Sequence, residues 1–594
     1  MRDFSLILVL LFISFLGYAQ DKKDSTKTSI SKKALEEGIK LISKSGSDSV
    51  LLEESDDRFL PYSGNIIRNI FIQIIGFEKS IYGNEKPIVQ KTGKIANKLH
   101  KNTREKTIRQ NLFIKPFEKV NPYKLGDNER HLRNQKFILD SRIIITPVEN
   151  TDSVDITVVT RDVFSIGFAV GGTIPTAPKF TIYDANLSGR GQRLELTMLF
   201  DPDRKPKTGF SASFEKTSFL GSFADLQVFY TELNTGFSYG DEKEFATGIK
   251  IDRKLVSPYS RLAGGAQWSK NWSKNVYSRP DSSFLDYRYN LSDFWLGYNF
   301  GINKPITNRN RKFIALRAFD GYFLNRPEQD EFYRQTSYNN ITGVLGALTF
   351  YKRDFFKTQY IFGFGRTEDV PYGYSITPTI GWVDRLGAGK PYAAIEFEYK
   401  GVFEQGSFYE VILNTGTFLN NSQIEDAVIH STVSYFTRVY SLGNFKIRNA
   451  ANFTFAKLFN TYANNWLEIY SDIIPGLRVR ELQADERYSL KIESALYTPW
   501  SLIGFRMAPF ISFNTAILNC PECDKDKYTF YGISTGLRIR NENLIFGTIE
   551  LRGTYIPEDE FGDSKFSFKL RQNLRFRKTD DFVKPPSLIN YNYR

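Results

Sequence analysis

The chain has 594 residues, 41% of them hydrophobic, with 51 Phe, 33 Tyr and 6 Trp, and its mean hydropathy is −0.35. Beyond the first twenty residues no stretch approaches the roughly 20 consecutive apolar residues of a spanning helix, which excludes a polytopic helical membrane protein. Two cysteines cannot staple a chain of this size, three histidines leave little room for metal or acid-base chemistry, and 79 basic against 66 acidic residues, a net +13, point to an anionic partner surface.

Residues 1–19 (MRDFSLILVLLFISFLGYA) combine a short charged start, an apolar run over 6–16 and the small residue Ala19 before Gln20. This reads as a cleavable secretory signal, and no cysteine follows to support lipoprotein processing. The mature chain is therefore expected outside the cytoplasm. That removes nucleic acid as a partner and leaves lipid head groups and exported polypeptides. Residues 20–63, rich in Lys, Ser, Asp and Glu, read as a flexible polar leader.

Residues 64–162 change to a compact α+β pattern. The Ile-rich run 66–76 (IIRNIFIQIIG) predicts a strand, 103–113 (TREKTIRQNLF) a helix with Thr103 as N-cap, and 125–134 a second helix. Runs 141–147 (SRIIITP) and 154–160 (VDITVVT) follow as strands around a turn at ENTDS. Between residues 85 and 136 there are 14 basic and 5 acidic residues. The bias suits contact with anionic head groups or acidic clients, and equally a solvated helix face without a partner.

From 163 to 577 helical periodicity gives way to alternating runs of about ten residues, the pattern of an antiparallel transmembrane β-barrel. In 566–577 one face carries Phe566, Phe568, Leu570, Leu574 and Phe576. The other carries Ser567, Lys569, Arg571, Asn573, Arg575 and Arg577. Run 528–540 repeats this, with Tyr531, Ile533, Leu537 and Ile539 opposite Gly532, Ser534, Gly536, Arg538 and Arg540. In a barrel the first row meets hydrocarbon and the second a wet lumen; a secreted sandwich would show the same alternation with a second set of complementary elements, which the sequence does not offer. The connections PEDEFGD and LNCPECDKDK are long, NEN and TPWSLI shorter. Long loops face outward, so the last strand ends in the periplasm, together with the α+β unit and the tail 578–594.

Three segments carry a family resemblance. Residues 129–166 (ERHLRNQKFILDSRIIITPVENTDSVDITVVTRDVFSI) look like the end of a small periplasmic domain running into a first barrel strand, and 183–196 (YDANLSGRGQRLEL) follow it with an asparagine, small-residue and glycine pattern. The long segment 460–485 contains GLRVRE and precedes the last five strands. Together they resemble the BamA/TamA superfamily of outer-membrane assembly and translocation barrels, with one POTRA domain before the barrel. The resemblance implies a membrane all-β fold of 16 strands, although the alternation runs up to twenty. It implies that 460–485 folds into the lumen, anchored by Arg478 or Arg480 to Glu493. Here Val479 and Glu481 follow the arginines where relatives have glycine and an aromatic, and Ser512 and Asn514 stand where relatives have an aspartate.

The partners implied are outer-membrane lipids, unfolded outer-membrane or exported polypeptides, and accessory lipoproteins in a Gram-negative cell, with no cofactor. The function implied is protein insertion or polypeptide transport. By itself the residue pattern leaves open a passive pore or surface receptor with a periplasmic docking domain.

A barrel whose first and last strands pair poorly offers an edge to an incoming strand. Residues 163–172 present Phe164, Ile166, Phe168 and Val170 outward, and Ser165, Gly167, Ala169 and Gly171 inward. Read with the resemblance, they form a weak seam against Phe568, Leu570, Leu574 and Phe576. The alternative is that Gly167 and Gly171 only accommodate curvature. Cys520 and Cys523, in CPEC, read as a local disulfide, since a metal site would want two more ligands and a redox thiol a helix N-terminus. His100, His131 and His430 are not set beside a serine or an acid dyad, so no enzyme is expected.

Overall fold

The structure, a computed structural model, describes residues 57–76, 101–173, 176–237, 242–302, 309–328, 336–361, 363–366, 368–421, 423–461, 466–502, 505–542, 544–545, 547–557, 565–573 and 583–589. The expected signal, most of the leader, His100, and Leu574 and Phe576 of the expected seam lie outside these residues.

A small N-terminal unit, the foot, contains β1 (Ile66–Ile75), α1 (Glu105–Arg109), α2 (Pro122–Asn134), β2 (Ile138–Pro147) and β3 (Ser153–Asp162). Its sheet has the order β1-β3-β2, with β3 parallel to β1 and antiparallel to β2. Alternate residues of β3, Val154, Ile156 and Val158, are fully buried against Ile108 of α1 and Leu125 and Leu132 of α2. Helix α2 begins where the Asn121 side chain accepts from the N–H groups of Tyr123 and Lys124 at 3.1 Å each. Pro122 fills the first position, whose N–H would lack an intrahelical partner. The helix expected over 103–113 is confined to α1, with Arg104 at its N-cap. Thr103 is engaged elsewhere: its N–H and hydroxyl both donate to Asp162, at 2.6 and 2.8 Å, where the foot passes into the barrel.

The barrel runs from a first strand, Ile166–Thr173, to a last, Phe566–Asn573. Twenty antiparallel strands each pair with the next in sequence, and the sheet comes round on itself with one unsealed seam between last and first. Two strands carry short continuations, Tyr440–Leu442 and Ser501–Leu502, which pair with the same neighbours as the strands they extend. Twenty strands therefore form, not the sixteen implied by the resemblance.

Side chains alternate as the sequence requires. On the outer face Ile380 is 70% and Phe568 75% exposed, in a belt with Leu316, Trp382, Phe294 and Ile511. Such an apolar surface is unfavourable against water and suited to hydrocarbon. Asp293, Arg317, Glu396, Arg538 and Arg552 lie on the inner face. Among the described residues no helix is long and apolar enough to cross a membrane; crossing belongs to the strands. The foot fixes one end of the barrel. At the far end Leu386 and Gly387 (φ 54° and 74°) form a two-residue turn, so the long-loop rule that holds for the last strands does not extend around the ring.

Candidate functional site

Every other neighbouring pair of barrel strands is laced by a backbone ladder. Across the seam, among the described residues, a side chain takes that role. The Gln572 amide Nε2 donates to the carbonyl of Phe168 at 2.8 Å, and its Oε1 accepts from the N–H of Val170 at 3.2 Å. One glutamine thus presents a donor and an acceptor to the edge of the first strand as a neighbouring backbone would. It stands in the outward row of the last strand, between Leu570 and the expected Leu574, where hydrocarbon-facing positions are apolar. That break in the row is the sequence signal for it.

Around this clasp, Phe164 makes a parallel bridge with Leu544, and Ile166 opens the first strand. Gly167 lies under the buried Tyr183 ring, which a side chain there would overlap; Gly171 faces open space. Local packing therefore explains Gly167, and Gly171 has no such neighbour. Phe568 and Leu570 lie on the outward face of the last strand.

The inner face of the last strand is backed by residues 466–485, which turn into the lumen. Leu467–Ile469 pairs with Val479–Ala484, and their side chains pack with Ile474 and Leu477 against wall residues Ala456, Leu458, Ala516 and Phe530. From the loop, Ser471 accepts from Lys569 at 2.8 Å, Asp472 lies 3.5 Å from Arg571, and Gly476 (φ 100°) passes so close to Ser567 that an added Cβ would be 2.5 Å away. The wall also ties the loop: Arg487 donates to the carbonyl of Glu468 at 2.7 Å.

Below the loop lies a cavity of about 490 Å³. Glu493 faces it and pairs with Arg538 at 2.6 Å and Arg552 at 3.5 Å, both of which also bond Glu550 at 2.8 Å. Arg552 further donates to Ser512 at 3.2 Å, and Asn514 contacts Ser512 at 3.4 Å. Arg478 is exposed and within electrostatic reach of Lys569; the side chain of Arg480 is outside what is described. Cys520 and Cys523 are joined in a disulfide with their Cα atoms 5.4 Å apart.

The foot closes onto the other end. Arg133 of α2 forms a two-pronged pair with Asp369 of the barrel (2.9 and 2.8 Å) and donates to Glu129 at 2.6 Å. Glu129 also meets Arg58 and accepts from the N–H of Ile143 at 2.8 Å. Asp127 bonds Ser257, Arg309 stacks 3.6 Å from the Tyr123 ring, and Ser218 donates to the carbonyl of Gln110 at 2.8 Å. Four turns or strand ends of the barrel are therefore held by one short stretch of the foot.

Burial opposes ionisation of Glu129, but Arg133, Arg58 and Lys357 outweigh it and hold the carboxyl below its ordinary range. Burial pulls the His131 imidazole down to about 4 from 6.5. Both folded values lie below the unfolded ones: the His131 contribution is complete above pH 6.5 and is lost as the pH falls toward 4, and that of Glu129 is lost only below its unfolded value of 4.5. Exchange of the α2 amides, corrected for intrinsic rates, should be nearly flat between pH 8 and 7 and accelerate progressively as the pH falls from 6.5 toward 4. A flat profile down to pH 4 would refute this coupling.

No protein-family model matches the chain, and no curated protein is detectably similar to it. Among solved structures it is similar to BamA from Haemophilus ducreyi lacking POTRA domains 1–3, at 10% identity and TM-score 0.34 over 93% of each chain. It is also similar to CdiB from Escherichia coli, at 9% identity and TM-score 0.38 over 92% of this chain and 83% of that one. The siderophore receptor PirA from Pseudomonas aeruginosa matches at 9% identity and TM-score 0.31, over 86% and 85% of the two chains. These are distant likenesses to outer-membrane barrels, and the fold stands on the chain's own strand ladders and side-chain alternation.

Proposed function

We propose that the chain is an outer-membrane assembly or translocation factor that inserts or passes polypeptides by lending the edge of its first strand to an incoming strand, without a nucleotide. The observation that carries this reading is the seam, where, among the described residues, a single glutamine side chain rather than a backbone ladder bonds the edge of the first strand. An extended chain that supplies real N–H and C=O partners can replace Gln572 without leaving buried polar groups unpaired. The inward loop and the docked foot crowd the two ends of the lumen, which suits a lateral route better than a free through-pore. The foot would stand in the periplasm among lipids, clients and accessory lipoproteins, and the Cys520–Cys523 disulfide accords with an oxidising compartment.

The test is a set of cysteine pairs joining residues 168–170 to 568–572, introduced into cells whose own copy can be depleted. Once crosslinked, the barrel should no longer maintain the level of other outer-membrane barrels or exported proteins, and reduction should restore it. Undiminished rescue by the locked barrel would remove the seam from the mechanism. Selective loss of one solute's uptake would favour a pore instead.

A further inference from the structure

Residues 583–589 (VKPPSLI), which follow the last strand and were expected in the periplasm, lie inside the barrel. They cross the inner wall from the foot end toward the far end. Val583 joins a buried apolar cluster with Leu255, Trp295, Phe313 and Tyr351 near the foot. Leu588 packs on Leu345, Val383, Tyr392 and Phe418, close to the far-end turns.

Between these two anchors the wall meets the segment's polar groups. Arg317 donates to the carbonyl of Pro586 at 2.9 Å, and Asp293 holds that guanidinium in place by two further bonds of 2.8 Å each. Glu396 bonds Ser587 and faces the charge of Lys584. Tyr392 accepts from the N–H of Ile589 at 2.9 Å. Gly416 leaves the room: a Cβ there would stand 2.9 Å from the Ile589 side chain. Pro585 and Pro586 have no N–H to satisfy and favour an extended backbone, so the segment needs few wall partners and loses little freedom when it binds. The apolar pockets at the two ends and the Asp293–Arg317 and Glu396 groups between them make a built site, contributed by strands distant in sequence.

From this geometry we propose that the inner wall between Asp293 and Phe418 is a binding site for an extended, proline-containing peptide with a cationic residue near its start and aliphatic residues at both ends. Residues 583–589 are its resident occupant, a strap that narrows the lumen. The inference stands whether or not the seam admits polypeptides.

A barrel lacking residues 578–594, shown to be folded by heat-modifiable gel mobility, is titrated with a labelled peptide of residues 581–594. Binding should be saturable and at least about tenfold tighter than to the full chain, where the strap competes, and Arg317→Ala in the shortened barrel should weaken it by about tenfold. No saturable binding, or equal binding to both barrels, overturns the proposal. Should the shortened barrel not fold, Leu588→Cys in the full chain decides the matter, since the two native cysteines are already paired. A membrane-impermeant maleimide should label it about tenfold faster when Arg317→Ala and Tyr392→Phe are added. Equal rates place the segment outside the wall site and refute it.

Discussion

Replacing Arg133 by methionine should free helix α2 from the barrel mouth at a cost of about 3–5 kcal/mol, the range for breaking one member of a buried ion pair. The size follows from what is left behind. Arg133 is only 5% exposed and is the two-pronged partner of Asp369. Without it, Asp369 loses its bonded partner in a nearly water-free joint and is left with the longer-range charges of Arg130 and Lys357, whereas Glu129 still has Arg58 bonded to it. The second replacement, Asp369→Leu in the Arg133→Met background, should therefore recover most of the loss, because the apolar pair has no unpaired charge. Arg133→Lys should fall between: it keeps a cation but not the fork that meets two carboxylate oxygens at once. The measurement is the opening free energy of the α2 amides by hydrogen exchange, with barrel gel mobility as the control. Losses below about 1 kcal/mol for Arg133→Met would show that the joint rests on apolar packing instead.

What the sequence could reveal here was set by the range of each signal. The period of two is local: Phe566, Phe568 and Leu570 against Ser567, Lys569 and Arg571 declare two faces within six residues, and the structure keeps those faces. Runs of that kind add up to the twenty strands observed, whereas sixteen is a number that only the resemblance implies and no run in this chain requires. The foot's strand and helix order was legible for the same reason. Thr103 misled because a hydroxyl before a helix can cap it or be taken by a distant carboxylate, and Asp162 lies 59 positions away.

The site was less legible because it is built across the ring. Arg133 and Asp369 are 236 residues apart, and Gln572 and Phe168 are 404 apart. Glu493 could be placed on the inner face by alternation, but its pairing with Arg538 depends on which strand lies next but one. The strap was hidden for another reason: residues 583–589 show neither period, and only the wall they rest on gives them a conformation. Gln572 could have been found, since a lone polar residue in a lipid-facing row is costly unless something nearby accepts its amide.

That cost makes Gln572→Leu the most informative change at the seam, because its two effects have opposite signs. Leucine restores the apolar outer row, so the barrel as a whole should hold its thermal stability or gain slightly. The seam should loosen, since the carbonyl of Phe168 and the N–H of Val170 lose their partner together. Two neutral hydrogen bonds at about 1 kcal/mol each predict that the Val170 amide exchanges roughly tenfold to thirtyfold faster, with amides of strands opposite the seam unchanged. Gln572→Glu separates the two contacts: it keeps an acceptor for Val170 but offers Phe168 no donor, and it places a charge at the membrane surface of the seam, so it should lower barrel stability as well as loosen the edge. If the Leu variant left Val170 as protected as before, backbone pairing would be holding the seam closed and the clasp would be incidental. If protection falls while stability does not, the first strand is held by a contact that an incoming strand can outcompete, because a continuous ladder supplies several such bonds where the glutamine supplies two.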